Sequence, residues 1–324
     1  MKQTGIARLL LAATLSAAGG WCGAQTPPEW AYPVNPPGFK PRADDGAPRR
    51  VDGSNAAYTL AQLRDRFISP VWYPSEHPAQ PEVVARGRKP DVFACGFCHR
   101  ADGPGGPENA NLMGLPAKYI AQQMADYKSG ARKTAVAGRN VELMISLAKA
   151  ASDAEIQAAA AYFSTIKPRA VIRVVESESV PRTYATGWHL ARIDRGELEA
   201  TGQRIIEVPE ALEQFENRDT HARFIAYVPP GSVKKGETLA ATGGGKTVAC
   251  AGCHGRALGG AGDIPALAGR SPTYLFRQLY EFKHGGRTGV QSQQMKPTVE
   301  NLALEDMIAL AAYAASLAPA VREE

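Results

Sequence analysis

The 324-residue sequence has few cysteines, no long block of one charge and no apolar run of membrane-spanning length. The apolar stretch 9–18 falls short of the roughly 20 residues a span needs, which argues against a membrane anchor. Lysine and arginine number 37 against 32 acidic residues, and no basic run reaches the length of a nucleic-acid patch. Nucleic acid is therefore excluded as a partner. Only five cysteines occur, and a chain this long does not need disulfide staples. The 44% hydrophobic content is that of a globular protein with about two domains.

The first residues follow the order of a secretory signal. Lys2 and Arg8 precede the apolar run, and small residues lead to Cys22, Gly23 and Ala24. Residues 1–24 are expected to be a signal peptide cleaved after Ala24, leaving a mature chain from Gln25 with no transmembrane segment. Trp21 fits poorly before a lipoprotein cysteine, so Cys22 is expected to be removed with the signal.

Beyond the signal, residues 25–79 form a proline-rich extension; half of the 24 prolines lie between positions 25 and 90. A surface spacer is favoured there over a binding arm, with one short helix near 58–67. Two longer blocks, 80–168 and 232–319, repeat each other. An offset of 155 aligns Gly114 with Gly269, Tyr119 with Tyr274, Gln123 with Gln278 and Arg132 with Arg287. After a four-residue insertion in the first copy the offset becomes 151, pairing Met144 with Met295, Tyr162 with Tyr313 and Pro168 with Pro319. Apolar spacing predicts helices over 118–128, 152–166, 274–282 and 304–317, with Ser152 and Glu155 as a capping box. Between the copies, 169–231 reads as a β-containing connector with short strands near 171–175, 204–208 and 224–228. The fold class is thus mainly α: two tandem helical domains joined by a small β-containing segment.

The four remaining cysteines carry the chemistry. Cys95-Gly-Phe-Cys98-His99 and Cys250-Ala-Gly-Cys253-His254 are both C-x-x-C-H, the pattern of covalent haem c attachment. Two thiols one helical turn apart can each add to a vinyl group of one porphyrin, and the next imidazole then lies under the iron. A thioredoxin-like pair or a zinc site does not account for a histidine directly after both pairs. Two haems c are expected, with His99 and His254 as axial ligands. For the sixth position, Met113, Met124 and Met307 face Ala268, Leu279 and Ile156 in the other copy, as core filler would. Only Met144 and Met295 are methionine in both copies, each 18 residues before its repeat tyrosine, and they are the expected second axial ligands. A thioether favours the reduced iron, which suits electron transfer.

At these residues the chain resembles the class I cytochromes c, in particular the two-domain, di-haem, cytochrome c4-like branch. The resemblance adds the Leu-x-Gly segments at 112–114 and 267–269, the stretches 127–132 and 282–287, and the closing Ala-Ala-Tyr helices. It covers both repeats and says little about 25–79 or 169–231. It implies an all-helical haem pocket, export to the periplasm before haem attachment, and one-electron shuttling between redox proteins such as a dehydrogenase, an oxidase or another cytochrome. The alternatives are a di-haem peroxidase and the electron-accepting cytochrome subunit of a periplasmic dehydrogenase. Paired methionines in both copies favour the carrier, with no catalytic residue.

One departure stands out. The family usually carries a proline whose carbonyl holds the axial histidine; Pro265 fits in the second copy, but Ala110 takes its place in the first, so the two haems are expected to differ. Gly243-Gly244-Gly245-Lys246-Thr247 lacks the first glycine of a phosphate loop and reads as a turn. His77, His189, His221 and His284 have no repeat partner and read as structural. Arg132 and Arg287 read equally as propionate partners or as surface residues.

Overall fold

The computed structural model describes residues 27–136, 141–193 and 196–319; the expected signal, including Cys22, lies outside the described residues. Helices form where alanine and long apolar side chains recur at three- and four-residue spacing. They are α1 (Leu60–Arg64), α2 (Glu82–Ala85), α3 (Cys95–His99), α4 (Ala117–Ser129), α5 (Val141–Ala150), α6 (Asp153–Thr165), α7 (Leu212–Glu216), α8 (Ser232–Thr242), α9 (Ala251–His254), α10 (Pro272–Lys283), α11 (Met295–Val299) and α12 (Leu304–Ser316). The capping box at α6 closes both ways. Glu155 N donates to Ser152 Oγ at 3.2 Å, and Ser152 N donates to Glu155 Oε2 at 2.8 Å.

The repeat extends to individual backbone bonds. Gly105 N donates to His99 O at 3.1 Å, and Gly260 N to His254 O at 2.7 Å. Leu112 N donates to Gly103 O at 2.7 Å, and Leu267 N to Leu258 O at 2.8 Å. Gly114 and Gly269 hold φ of 63° and 70°, with the rings of Pro168 and Pro319 packed where a side chain would stand. Glycine is required twice for the same reason.

Around these frames sit two apolar cores of unequal build. Val84, Met113, Ile156, Tyr162 and Phe163 belong to the first, and Leu239, Phe276, Leu302, Met307 and Ile308 to the second. In the second, α8 lies along α12, and Gly236 brings the backbones so close that a Cβ would overlap the Ala309 carbonyl. In the first, the corresponding first helix is the single turn α2.

The connector holds a three-stranded sheet of β1 (Ile172–Glu176), β6 (Ile206–Pro209) and β7 (Phe224–Val228), in the order β1-β7-β6. β1 runs parallel to β7 with Ile172 opposite Phe224, and β6 runs antiparallel to β7 with Val208 opposite Ile225. Two ribbons join it: β2 (Ser179–Pro181) with β5 (Leu198–Ala200), and β3 (Thr183–Thr186) with β4 (His189–Arg192). Strands of three and four residues are too short for alternation to reveal them in a sequence.

The proline-rich extension differs from a spacer. Leu60, Leu63 and Trp72 bury a small core of their own, and Tyr58 packs edge-on to Trp72 at 4.8 Å. Trp72 Nε1 donates to Asn217 O at 2.9 Å, and Arg218 Nε donates to Leu63 O at 2.5 Å, tying the extension to the connector. Upstream, Trp30 packs on Phe276 at 4.6 Å, and Tyr32 OH donates to Glu281 Oε1 at 3.0 Å. Prolines keep the segment from long helices, while its aromatic side chains still bury enough surface to fix its course, each contributing about 1.5–3 kcal/mol.

Candidate haem sites

Each attachment motif is folded as one helical turn. α3 spans the first motif, and in the second Cys250 caps α9 with helical backbone angles. His99 Nδ1 donates to Ala110 O at 2.8 Å, and His254 Nδ1 donates to Pro265 O at 2.9 Å. A carbonyl oxygen can only accept, so the proton lies on Nδ1 and the Nε2 lone pair is left for a metal. Ala110 therefore does the work expected of a proline, because the acceptor belongs to the backbone. Burial lowers the pKa of both imidazoles, the carbonyl contact opposing it, and so favours the neutral ligand form.

Between the repeats lies a cavity of about 490 Å³, bordered by His99, Met144, Cys250, Cys253, His254 and Met295. Met144 stands in α5 and Met295 opens α11, both half-buried. Six of the eight residues expected from sequence thus meet in one space. Cys95 and Cys98 are not among its lining residues; they are half-buried in α3, and burial pushes the Cys95 thiol up to about 12. Met124 also borders the cavity, whereas Met113 and Met307 are core residues, 1% and 2% exposed.

The repeats meet across a network related by the 155-residue offset. Arg132 Nη1 donates to Gln123 Oε1 at 2.8 Å, and Arg132 Nη2 donates to Tyr274 OH and Gln278 Oε1, both at 3.0 Å. In mirror fashion Arg287 Nη1 donates to Gln278 Oε1 at 3.1 Å, and Arg287 Nη2 to Gln123 Oε1 at 2.7 Å. The backbones pair as well: Lys133 N donates to Gly286 O at 2.8 Å and Thr288 N to Ala131 O at 2.7 Å. The two arginines are buried and are not surface residues. Their signal was present in the sequence, since residues identical in both copies meet one another at a pseudo-twofold axis.

A second feature was legible only as a mismatch. Arg100 aligns with Gly255, and both take the same glycine-like backbone, φ 69° and ψ 166° against φ 76° and ψ 175°. For a non-glycine residue that conformation costs about 1–3 kcal/mol. Arg100 is buried with its guanidinium 4.5 Å from the centre of the Phe215 ring, and Arg218 stands 3.7 Å over Phe97 inside the first motif. Burial lowers the pKa of both guanidinium groups, Arg218 to about 9. His284 is exposed. The glycine run at 243–245 is a tight turn with φ of 74°, 53° and 72°, and Lys246 Nζ is bonded to Asp306 Oδ2 at 2.7 Å.

The donor set suits a covalently held haem: free thiols in both motifs, neutral imidazoles held through Nδ1, and soft thioethers bordering the same cavity. No group of three or more metal-ligating His, Cys, Asp or Glu side chains occurs among the described residues, so a zinc site of that kind is not formed there. No helix among the described residues is long and apolar enough to cross a membrane.

The family model for cytochrome c matches residues 233–318. A thiosulfate dehydrogenase electron acceptor from Thiomonas intermedia is 30% identical over 203 residues, covering 62% of this chain and 67% of that protein. Cytochrome c4 from Azotobacter vinelandii is 26% identical over 249 residues, covering 73% and 89%. Among solved structures, a thiosulfate dehydrogenase from Marichromatium purpuratum matches 71% of this chain at 26% identity with a TM-score of 0.46, and this chain spans 38% of it. Sequence kinship over both repeats, joined to the paired attachment motifs, leads to one conclusion: the chain belongs to the class I cytochrome c family, in its two-domain, di-haem, cytochrome c4-like branch, and is an electron-transfer protein with two covalently bound haems c.

Proposed function

We propose that this chain is a periplasmic carrier that takes single electrons from a dehydrogenase and passes them on, with one haem in each of the units 80–168 and 232–319. Cys95 and Cys98 hold the first haem and Cys250 and Cys253 the second, with His99 and Met144, and His254 and Met295, as the axial pairs. Bound haem supplies a one-electron couple at each iron. The residues of this chain hold the imidazoles neutral and aimed, present a thioether to each iron, and keep water from the buried ring faces.

The observation that carries this reading is that His99, His254, Met144 and Met295 all border one cavity, while each imidazole is fixed by a backbone carbonyl. Two filled axial positions leave no open site for an oxidant, which favours a carrier over a peroxidase. A relative named as an electron acceptor of thiosulfate dehydrogenase, and a shorter match to the cytochrome subunit of a sulfide dehydrogenase, favour a dehydrogenase as the donor. The test is stopped-flow exchange with another c-type cytochrome beside steady-state peroxide consumption. Fast exchange with negligible peroxide turnover is expected; sustained turnover above that of free haem would establish the peroxidase instead.

A further inference from the structure

After Arg132 the first repeat runs onto the second. Thr134 Oγ1 donates to Glu281 Oε1 at 2.7 Å, and Ala135 N donates to Glu281 Oε2 at 2.7 Å. Val136 is 4% exposed and belongs to the second apolar core, with Phe276, Tyr280 and Val299. The next described residue, Val141, opens α5, the helix of Met144. The stretch that leads to the first expected thioether ligand is therefore seated on the opposite repeat.

Glu281 is the centre of this seat. It stands on α10, borders the cavity and is buried, and a third donor, Tyr32 OH, reaches it from the extension at 3.0 Å. Oε1 thus accepts from two hydroxyls and Oε2 from a backbone N–H. The carboxyl group has no room to swing away, since a Cβ on Gly286 would overlap Oε2. Without Glu281 the buried end of 134–136 would keep its apolar anchor and lose its polar one, leaving the Ala135 N–H without this acceptor.

The mirror stretch is built otherwise. Gln291, which aligns with Val136 at the offset of 155, is exposed. Gly289 does rest on the first repeat, where a Cβ would come within 2.4 Å of Asp126 Oδ2. From there the 3-10 turn Val290–Gln294 leads directly into α11 and Met295.

We propose that Glu281 is a positioning residue for the methionine of the other repeat: by anchoring 134–136 it keeps Met144 on the iron of the first haem. The hold on one haem then depends on the unit that carries the other. The proposal rests on the axial assignment above and extends it.

An outside ligand enters a His/Met haem when the thioether leaves the iron, so its rate of entry measures how firmly the methionine is held. Imidazole is mixed with the ferric full-length holoprotein and its binding followed optically. Proton signals shifted by each iron, assigned from their change in Met144→Ala and Met295→Ala, show which haem has reacted. Glu281→Ala is expected to speed entry at the first haem about tenfold and leave the second unchanged, the size that loss of buried hydrogen bonds produces. Glu281→Gln should restore much of the wild-type rate, because its amide oxygen can still accept from Ala135 N. Thr134→Val, which removes one bond and keeps the side-chain shape, should give a smaller increase at the same haem. Asp306→Asn, which weakens the second unit through other bonds, should leave entry at the first haem alone. Faster entry at the second haem or at neither in Glu281→Ala and Thr134→Val, or an equal effect of Asp306→Asn at the first, would overturn the proposal. If Met144→Ala left the first haem unchanged, the axial assignment itself would fall and this proposal with it.

Discussion

Gly96 and Gly252 occupy nearby places in two copies of one motif, yet one is wedged against Ser69 and Val84 and the other faces open space. The duplication preserved the same local geometry in both copies: the one-turn helix, the carbonyl at Ala110 or Pro265, the tight turn at Gly114 or Gly269. It left the outside of each motif free to diverge. Around the first, the extension and connector cover the helix; around the second, Ala251, Gly252 and Cys253 are exposed. Equal motifs need not mean equal access.

The sharpest way to break the symmetry inside is at the methionines. Met144→Ala and Met295→Ala are each expected to convert one haem, and only one, to a high-spin or water-ligated form of lower potential, read by optical and magnetic spectra. Met113→Leu should leave both spectra unchanged, because Met113 is buried in the core. A change of haem spin state in Met113→Leu would show the ligand assignment to be wrong.

The contrast outside is tested by one substitution made twice. Gly96→Ala should cost about 1–3 kcal/mol by overpacking. Gly252→Ala should be neutral, or stabilise by up to about 1 kcal/mol through the unfolded chain. Denaturant midpoints measure both, and equal effects would contradict the enclosure of the first motif.

Acid should act on the second unit through Asp306. Burial alone would raise the pKa of this carboxyl, but Lys235, Lys246 and the Ala303 N–H outweigh that and hold it down to about 2. The folded value lies below the unfolded one of about 3.9, so the stabilisation is present above pH about 4 and is lost as pH falls toward 2. Asp306→Asn should cost about 1–2 kcal/mol at neutral pH and flatten the acid limb of the unfolding curve.

The smallest expected effect is at Arg100. Arg100→Gly relieves backbone strain and loses the contact with Phe215, two changes of similar size, so stability should move by less than about 1 kcal/mol. Removing a buried cation beside the first motif should nonetheless lower the potential of that haem in a redox titration, with the other unmoved.

Much of this was legible before any coordinates. The motifs, the duplication and the four long helices follow from residue identity and spacing, and the helix ends fall within two residues of their expected places. The strands at 172–176, 206–209 and 224–228 were legible from their β-branched residues, whereas β2 to β5, which hold no run of valine or isoleucine, were not. Ala110 shows a limit of another kind. Side-chain patterns do not report which backbone carbonyl will face an imidazole, so a missing proline implied a difference between the sites that the hydrogen bonds do not show. The extension was misjudged because prolines dominate its composition, while a few residues such as Leu63 and Trp72 decide its packing.

The most direct test of the account is the intact mass of the mature protein after acid–acetone treatment, which removes any haem that is not covalently bound. The expected result is the chain from Gln25 carrying two haems through Cys95, Cys98, Cys250 and Cys253, with one lost in a Cys95→Ala, Cys98→Ala double variant. A mass with one haem or none in the wild-type protein would contradict it.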